Sequence, residues 1–407
     1  MVKPGYKQTE IGVIPEDWAD KKLGDVGKVC MCKRIFADQT SDTGEIPFFK
    51  IGTFGKEADA YISRELYEDF KRRFSYPQKG DVLISAAGTL GRSVVFDGKD
   101  SYFQDSNIVW LDLDKEQLCN EYLYHYYKVI QWASSEGSTI ARLYNGIICN
   151  THIAVPAVEE QKKIATVLSE VDELISLTEK QLSKKKAIKQ GAMQELLSGK
   201  KRLPGFSGRW VPGKWKEVLD CFSSGATPYR GNPAFYKGKI KWVSSGELNY
   251  NRIVDTLEHI SPEAKEKANL TIHPAGTFLM AITGLEAAGT RGSCAILGAP
   301  ATTNQSCMAI YGTDKMSTEY LFHYYVQHGD ELAFQYCQGT KQQSYTAAIV
   351  KELPIYYPED VTEQNAIASV LTSMDHEIRA LEQKLAKYRQ VKHGMMQQLL
   401  TGKIRLV

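Results

Sequence analysis

Two stretches of the chain carry apolar residues at alternating intervals of four and three. In the first they are Ile164, Leu168, Val171, Ile175, Leu182, Ala192 and Leu196, with Thr178 in register and Lys185 and Lys189 interrupting. In the second they are Ile367, Leu371, Met374, Ile378, Leu381, Leu385, Tyr388, Met395 and Leu399, with Lys392 as the one break. A mean spacing of 3.5 residues held for about five heptads predicts a coiled-coil seam on two long helices. Gly199 and Gly402 follow the two patterns, where a helix closes most readily on a left-handed residue. Elsewhere the apolar runs are short. Gly80-Asp-Val-Leu-Ile-Ser85, Ser93-Val-Val-Phe96, Asn107-Ile-Val-Trp-Leu111 and Thr277-Phe-Leu-Met-Ala-Ile282 are rich in β-branched and aromatic residues, are bounded by glycine turns, and predict strands. One helical stretch follows the strands in each half, over residues 116–132 and 317–334. The globular parts therefore read as mixed α/β, with a curved sheet.

The two heptad stretches are copies of one another. Aligned without a gap at an offset of 203, residues 160–203 match residues 363–406 at 21 of 44 positions. Looser echoes pair Pro15-x-x-Trp18 with Pro212-x-x-Trp215, Glu121-Tyr-Leu-Tyr-His-Tyr-Tyr127 with Glu319-Tyr-Leu-Phe-His-Tyr-Tyr325, and Ala86-Ala-Gly-Thr89 with Ala287-Ala-Gly-Thr290. Such a period is far longer than the roughly 20–50 residues of a solenoid unit, so the chain is a two-fold tandem. Its expected parts are a globule at residues 1–158, a helix at 159–200, a second globule at 201–361, and a helix with a tail at 362–407. A helix of about 40 residues rises on the order of 60 Å, more than a domain of about 150 residues is wide, so each should project from its globule. Pairing the seams antiparallel would give the molecule pseudo-two-fold, circular symmetry. The tail Gly402-Lys-Ile-Arg-Leu-Val407 should then repeat, beside the amino-terminal segment, what Gly199-Lys-Lys-Arg-Leu-Pro204 does at mid-chain.

Composition adds exclusions. Hydrophobic content of 43% and charged content of 24% are those of an ordinary globular protein. No apolar run approaches the roughly 20 residues of a membrane span, so no membrane partner and a cytoplasmic location are expected. Eight cysteines form no framework, and Cys30-x-Cys32 lacks zinc-knuckle spacing. The eight histidines show no metal spacing; His125 and His323 lie inside the Tyr-rich repeats and read as packing or interface residues. Gly208-Arg-Trp-Val-Pro-Gly213-Lys214 has phosphate-loop spacing, but Trp215 stands where a Ser or Thr should bind magnesium. Glu263-x-Lys265 has the spacing of half a nuclease motif, but on the charged stretch Pro-Glu-Ala-Lys-Glu-Lys it reads as a solvated face. No amino-methyltransferase, dinucleotide-binding or Gly-x-Ser-x-Gly motif is present, and no catalytic set emerges.

What remains is loop polarity suited to nucleic acid. A net charge of +2 does not decide the matter, because distribution matters more than the sum. Candidate contacts in the first half are Lys33, Arg34, Lys50, Thr53, Arg92, Gln104 and Asn107, with Lys71-Arg-Arg73 nearby in sequence. In the second half they are Thr227, Tyr229, Arg230, Lys241, Arg291, Asn304, Gln305, Lys341 and Gln342. Arginine suits guanine, Asn and Gln suit adenine, and Lys and Thr suit phosphate. A rival reading from the residues alone is a coiled-coil adaptor with two protein-binding globules.

Taken together, several motifs resemble the DNA-specificity subunits of type I restriction-modification systems. They are the two helices ending in Met-Gln-x-Leu-Leu-x-Gly-Lys, the pairs Glu160-Gln161 and Glu363-Gln364 at the helix starts, and the opening Tyr6-Lys-Gln-Thr-Glu-Ile-Gly-Val-Ile-Pro-Glu-Asp-Trp18. The resemblance spans essentially the whole chain. It implies two target recognition domains, each reading one half of a bipartite site in double-stranded DNA, and helices that serve as ruler and dock for two modification subunits. It also implies that S-adenosylmethionine and ATP belong to the modification and restriction (translocase) subunits, so this chain would need no cofactor and no metal and would not be an enzyme. Gly225-Ala-Thr227-Pro228 resembles the family's Gly-Gly-Thr-Pro loop, Thr303-Asn304-Gln305 its Thr-Asn-Gln turn, and Gly339-Thr340 its Gly-Ser/Thr loop. The first half departs, with Gln104-Asp-Ser-Asn107 for Thr-Asn-Gln and no Gly-Thr-Pro loop, as two different half-sites would require.

Overall fold

The computed structural model describes residues 3–132, 142–285, 291–338 and 343–406. It divides into two compact units, one of residues 1–179 with 383–407 and one of residues 180–382. Each unit therefore holds one globule, the first half of one long helix and the second half of the other. The long helices are Val158–Leu196 and Val361–Leu399, 39 residues each. Both end as expected, with Gly199 at φ +70° and Gly402 at φ +67°.

In the first unit a four-stranded antiparallel sheet runs in the order Gly27–Cys30, Ile108–Leu113, Val82–Ser85, Ser93–Val95. A smaller sheet sets Ile46–Phe49 between Tyr61–Ile62, antiparallel, and Tyr102–Phe103, parallel. A two-stranded ribbon pairs Ala19–Lys22 with His152–Val155. The second unit repeats this topology. Its main sheet is Asp220–Ser224, Cys307–Tyr311, Phe278–Ala281, Cys294–Leu297, with Asn251–Ile253 added parallel at the edge. Its smaller sheet is Glu258–Ile260, Ile240–Val243, Thr302–Thr303, and its ribbon pairs Trp210–Lys214 with Pro354–Pro358. The inner strands are buried on both faces, which explains why Val82–Ser85 and Phe278–Ala281 read as continuous apolar runs without alternation. The helix expected over residues 116–132 is shorter, Asn120–Tyr127, because its last turn tightens, with the Lys128 N–H donating to the His125 carbonyl at 3.2 Å. Its counterpart runs over Thr318–Tyr336.

One sequence alignment is corrected. The ribbons superpose Trp18 on Trp210, not on Trp215: each tryptophan immediately precedes or begins the ribbon strand, and each lies under an arginine, Arg405 at 5.6 Å and Arg202 at 5.9 Å. Trp215 instead begins the short helix Trp215–Val218, where the first unit has Leu23 of Leu23–Val26. The shared Pro-x-x-Trp spacing is coincidental. Ala287-Ala-Gly-Thr290 lies outside the described residues.

The Glu-Gln pair at each helix start joins helix to globule. Gln161 accepts from the Cys119 N–H at 2.9 Å and donates to the carbonyls of Gln117 and Pro156; Gln364 accepts from Ser317 and donates to Lys315 and Pro358. Glu363 takes both forks of Arg202, at 2.5 and 2.6 Å. Glu160 takes Arg405, which also bonds Asp17 at 2.7 and 2.9 Å. The tail of the chain thus does in the first unit what the mid-chain junction does in the second, as the offset of 203 requires.

The seam residues Ile164, Leu168, Ile367, Leu371, Ile378 and Leu385 are buried, and Val171, Ile175, Leu182, Met374 and Leu381 are half-buried. The interrupting lysines are not defects: Lys392 bonds Asp172 in the first unit, and Lys189 bonds Asp375 at 2.5 Å in the second. Residue order shows the helix halves to be antiparallel within each unit, Asp172 with Lys392 and Glu179 with Arg389 in one, Lys186 with Glu382 and Lys189 with Asp375 in the other. Among the described residues no helix is long and apolar enough to cross a membrane.

Candidate nucleic-acid interface

Strand directions bring the same set of connections to one end of each main sheet. In the first unit these are the loop leaving Gly27–Cys30, the loop between Val82–Ser85 and Ser93–Val95, the turn entering Ile108–Leu113, and the segment at Arg142 that bridges to Ala87. Lys33, Arg34, Arg92, Gln104 and Asn107 all lie there, and hydrogen bonds tie in the loop holding Lys50 and Thr53. The Gln104 side chain accepts from the Ile51 N–H at 3.0 Å, and Thr53 accepts from the Lys50 N–H at 3.1 Å. Arg92 donates to the Phe54 carbonyl at 3.0 Å. Lys50 pairs with Asp59 at 2.9 Å, and Lys33 lies over the Phe74 ring at 5.2 Å. Two residues that are not among the candidate contacts belong here. Asp105 holds Arg34 Nε at 2.9 Å, and Arg142 donates to Asn107 Oδ1 at 2.9 Å. Arg142 stands in no basic run, so only the fold reveals it.

The second unit assembles Thr227, Asn304, Gln305 and Arg291 at the equivalent end. Gly225 is obligatory there, since a Cβ would lie 1.7 Å from the Thr303 carbonyl oxygen. Thr227 donates to Gln305, which is exposed; Asn304 is buried, and its Oδ1 accepts from the Ser306 N–H at 3.0 Å. Arg291 donates to the Leu285 carbonyl at 3.1 Å and lies over Phe334. Tyr229 is 74% exposed. Arg230 is differently placed: both its terminal nitrogens are held by Glu258, at 2.5 and 2.8 Å, and its face stacks on Tyr236 and Trp242. That pairing holds the Glu258 carboxyl below its usual range. Lys241 donates to the Val254 carbonyl and belongs to the smaller sheet. Lys341 and Gln342 lie outside the described residues.

The turns superpose more closely than the sequences suggest. Gln104 N donates to the Phe49 carbonyl at 2.9 Å, and Asn304 N to the Val243 carbonyl at 2.8 Å, so these two amides occupy one position in the fold. The first turn then closes with the Ile108 N–H on Gln104 O, one residue later than the Cys307 N–H closes on Asn304 O. Ser106, at φ +55°, absorbs the extra residue.

Comparison with known proteins agrees with this duplicated architecture. The profile of the family described as type I restriction modification DNA specificity domain matches residues 15–187 and again residues 208–388. Over 159 residues, 39% of this chain, the sequence is 55% identical to the type I restriction enzyme specificity subunit candidate S.HindORF215P of Haemophilus influenzae, a match that spans only 41% of that protein. It is 23% identical over 97% of its length to the type I restriction enzyme MjaVIII specificity subunit of Methanocaldococcus jannaschii, covering 94% of it. The fold is that of the type I restriction-modification S subunit of M. genitalium, with a TM-score of 0.64 over 98% of this chain and 99% of that one, at 13% identity. The chain therefore belongs to the type I restriction modification DNA specificity domain family, and with two such domains it is a specificity subunit, not a catalytic one.

Proposed function

We propose that each unit reads one half of a bipartite site in double-stranded DNA, using the loops gathered at one end of its main sheet. The helices Val158–Leu196 and Val361–Leu399 set the separation of the two half-sites and dock two modification subunits. S-adenosylmethionine is bound by those subunits and ATP by restriction subunits, in the cytoplasm. The observation that carries this reading is that two units of one topology deliver different polar side chains to the same place: Arg34, Arg92, Gln104 and Asn107 in one, Thr227, Arg291 and Gln305 in the other. One frame with two side-chain sets is what two unlike half-sites demand.

The test is to co-express the chain with its modification subunit in a host lacking adenine methylation and to sequence the modified adenines. A single two-part motif with a fixed unspecified spacer is expected. Modification without sequence preference, or of a single uninterrupted motif, would refute the reading.

A further inference from the structure

In the first candidate interface Arg34 is held through Nε by a carboxylate, whereas in the second Arg291 donates its Nε to the Leu285 carbonyl. The Arg34 side chain is 59% exposed, and its partner Asp105 is only 16% exposed. The one bond between them uses Nε, at 2.9 Å. An arginine fixed through Nε presents its two terminal nitrogens, planar and parallel, to whatever approaches from outside, and that fork matches O6 and N7 of guanine in the major groove. Arg230 shows the contrasting case, because Glu258 fills its fork. Asp105 is itself well placed: it lies in the turn framed by the Gln104 and Ile108 backbone bonds, beside Asn107, whose N–H donates to the Asp105 carbonyl at 2.7 Å. The loop carrying Arg34 also exposes Phe36, and the ring of Tyr144 is exposed two residues beyond Arg142, so this surface has apolar area left uncovered.

We propose that Arg34 reads a guanine in the half-site recognised by the first unit, with Asp105 as the positioning residue that orients it. This rests on the DNA-reading function proposed above. A guanidinium restrained in advance loses less freedom on binding and discriminates more sharply than one that must be ordered by the base.

The test uses the complex of the full chain with its modification subunits. Once the methylated motif is known, duplexes carry 7-deazaguanine at one guanine at a time, which removes the N7 acceptor. For the wild-type complex one position should lose about 10- to 100-fold in binding. For Arg34→Ala the same substitution should cost nothing further, and the methylated motif should become degenerate at that position alone. Asp105→Asn keeps the turn and the shape but weakens the anchor; it should retain the motif while narrowing the preference for guanine. Arg34→Lys should fail to restore it, since an ammonium has no fork. The proposal is overturned if no guanine substitution is silenced by Arg34→Ala, or if that variant weakens all sequences equally and flattens the salt dependence, which would make Arg34 a phosphate contact. A wild-type complex that methylates no defined two-part motif would overturn the underlying function as well.

Discussion

His125 and His323 are wholly enclosed, each with Nε2 on a hydroxyl of a long helix, Ser169 at 3.0 Å and Thr372 at 2.9 Å. Burial pushes both down to about 4, with Lys128 adding to the effect at His125 and Lys189 at His323. A base whose folded value lies below its unfolded value of about 6.5 binds more protons when unfolded, so stability rises with pH between the two. It is complete above about 6.5 and is lost as pH falls toward 4. Urea unfolding should show a loss of about 2 kcal/mol per histidine between pH 7 and pH 5, and His125→Gln should flatten the dependence for the first unit. Asn304 and Gln305, adjacent in sequence, should separate in function. Gln305→Ala should relax one base position of one half-site, measured as a change in the methylated motif. Asn304→Ala removes the acceptor for the Ser306 N–H and should lower the stability of the second unit by about 1–3 kcal/mol, read by thermal unfolding. The Thr-Asn-Gln resemblance marked both residues alike; only burial tells the turn-former from the exposed amide.

At the scale of elements, each unit has a clasp at the start of a long helix, an arginine forked onto a buried carboxylate, Arg202 on Glu363 and Arg405 on Glu160. Glu363 has no exposed side-chain surface and two bonds to Arg202, so Arg202→Ala should cost about 3–5 kcal/mol by leaving a buried carboxylate unpaired. Arg405→Ala should do the same to the first unit, and because the clasps lie in different units, each variant should lower only one of two unfolding transitions in calorimetry. The seam pairs should be directional: Asp375→Lys destabilises, and adding Lys189→Asp restores most of the loss, measurable as a double-mutant cycle. These elements also show what could be read in advance. The helices were legible because heptad periodicity is local, and the Glu-Gln pairs and Gly199 and Gly402 were legible because the repeat presents each twice. The partners of Lys189 and Lys392 were not, because interhelical register is fixed only by packing. Sheet order was illegible for the same reason: Ile46–Phe49 pairs with Tyr102–Phe103 across more than fifty residues, and nothing in either segment names the other. Arg142 joins the candidate contacts only through that topology.

For the molecule as a whole, the testable quantity is the gap between half-sites. One heptad inserted into both long helices adds about 10 Å of rise, so the unspecified spacer in the methylated motif should grow by about three base pairs with both half-sites unchanged. A spacer of unaltered length would rule out the helices as its determinant. The two units differ at this turn where their frame does not: the turn beginning at Gln104 holds one residue more than the turn beginning at Asn304, yet Ala86 N meets Asn107 O, and Ile282 N meets Ser306 O, at 2.7 and 2.9 Å. A scaffold that tolerates a codon gained or lost at its reading tip can be re-addressed by very small genetic steps. Under the function proposed above, such a step changes the DNA site a unit recognises and leaves the rest of the protein as it was.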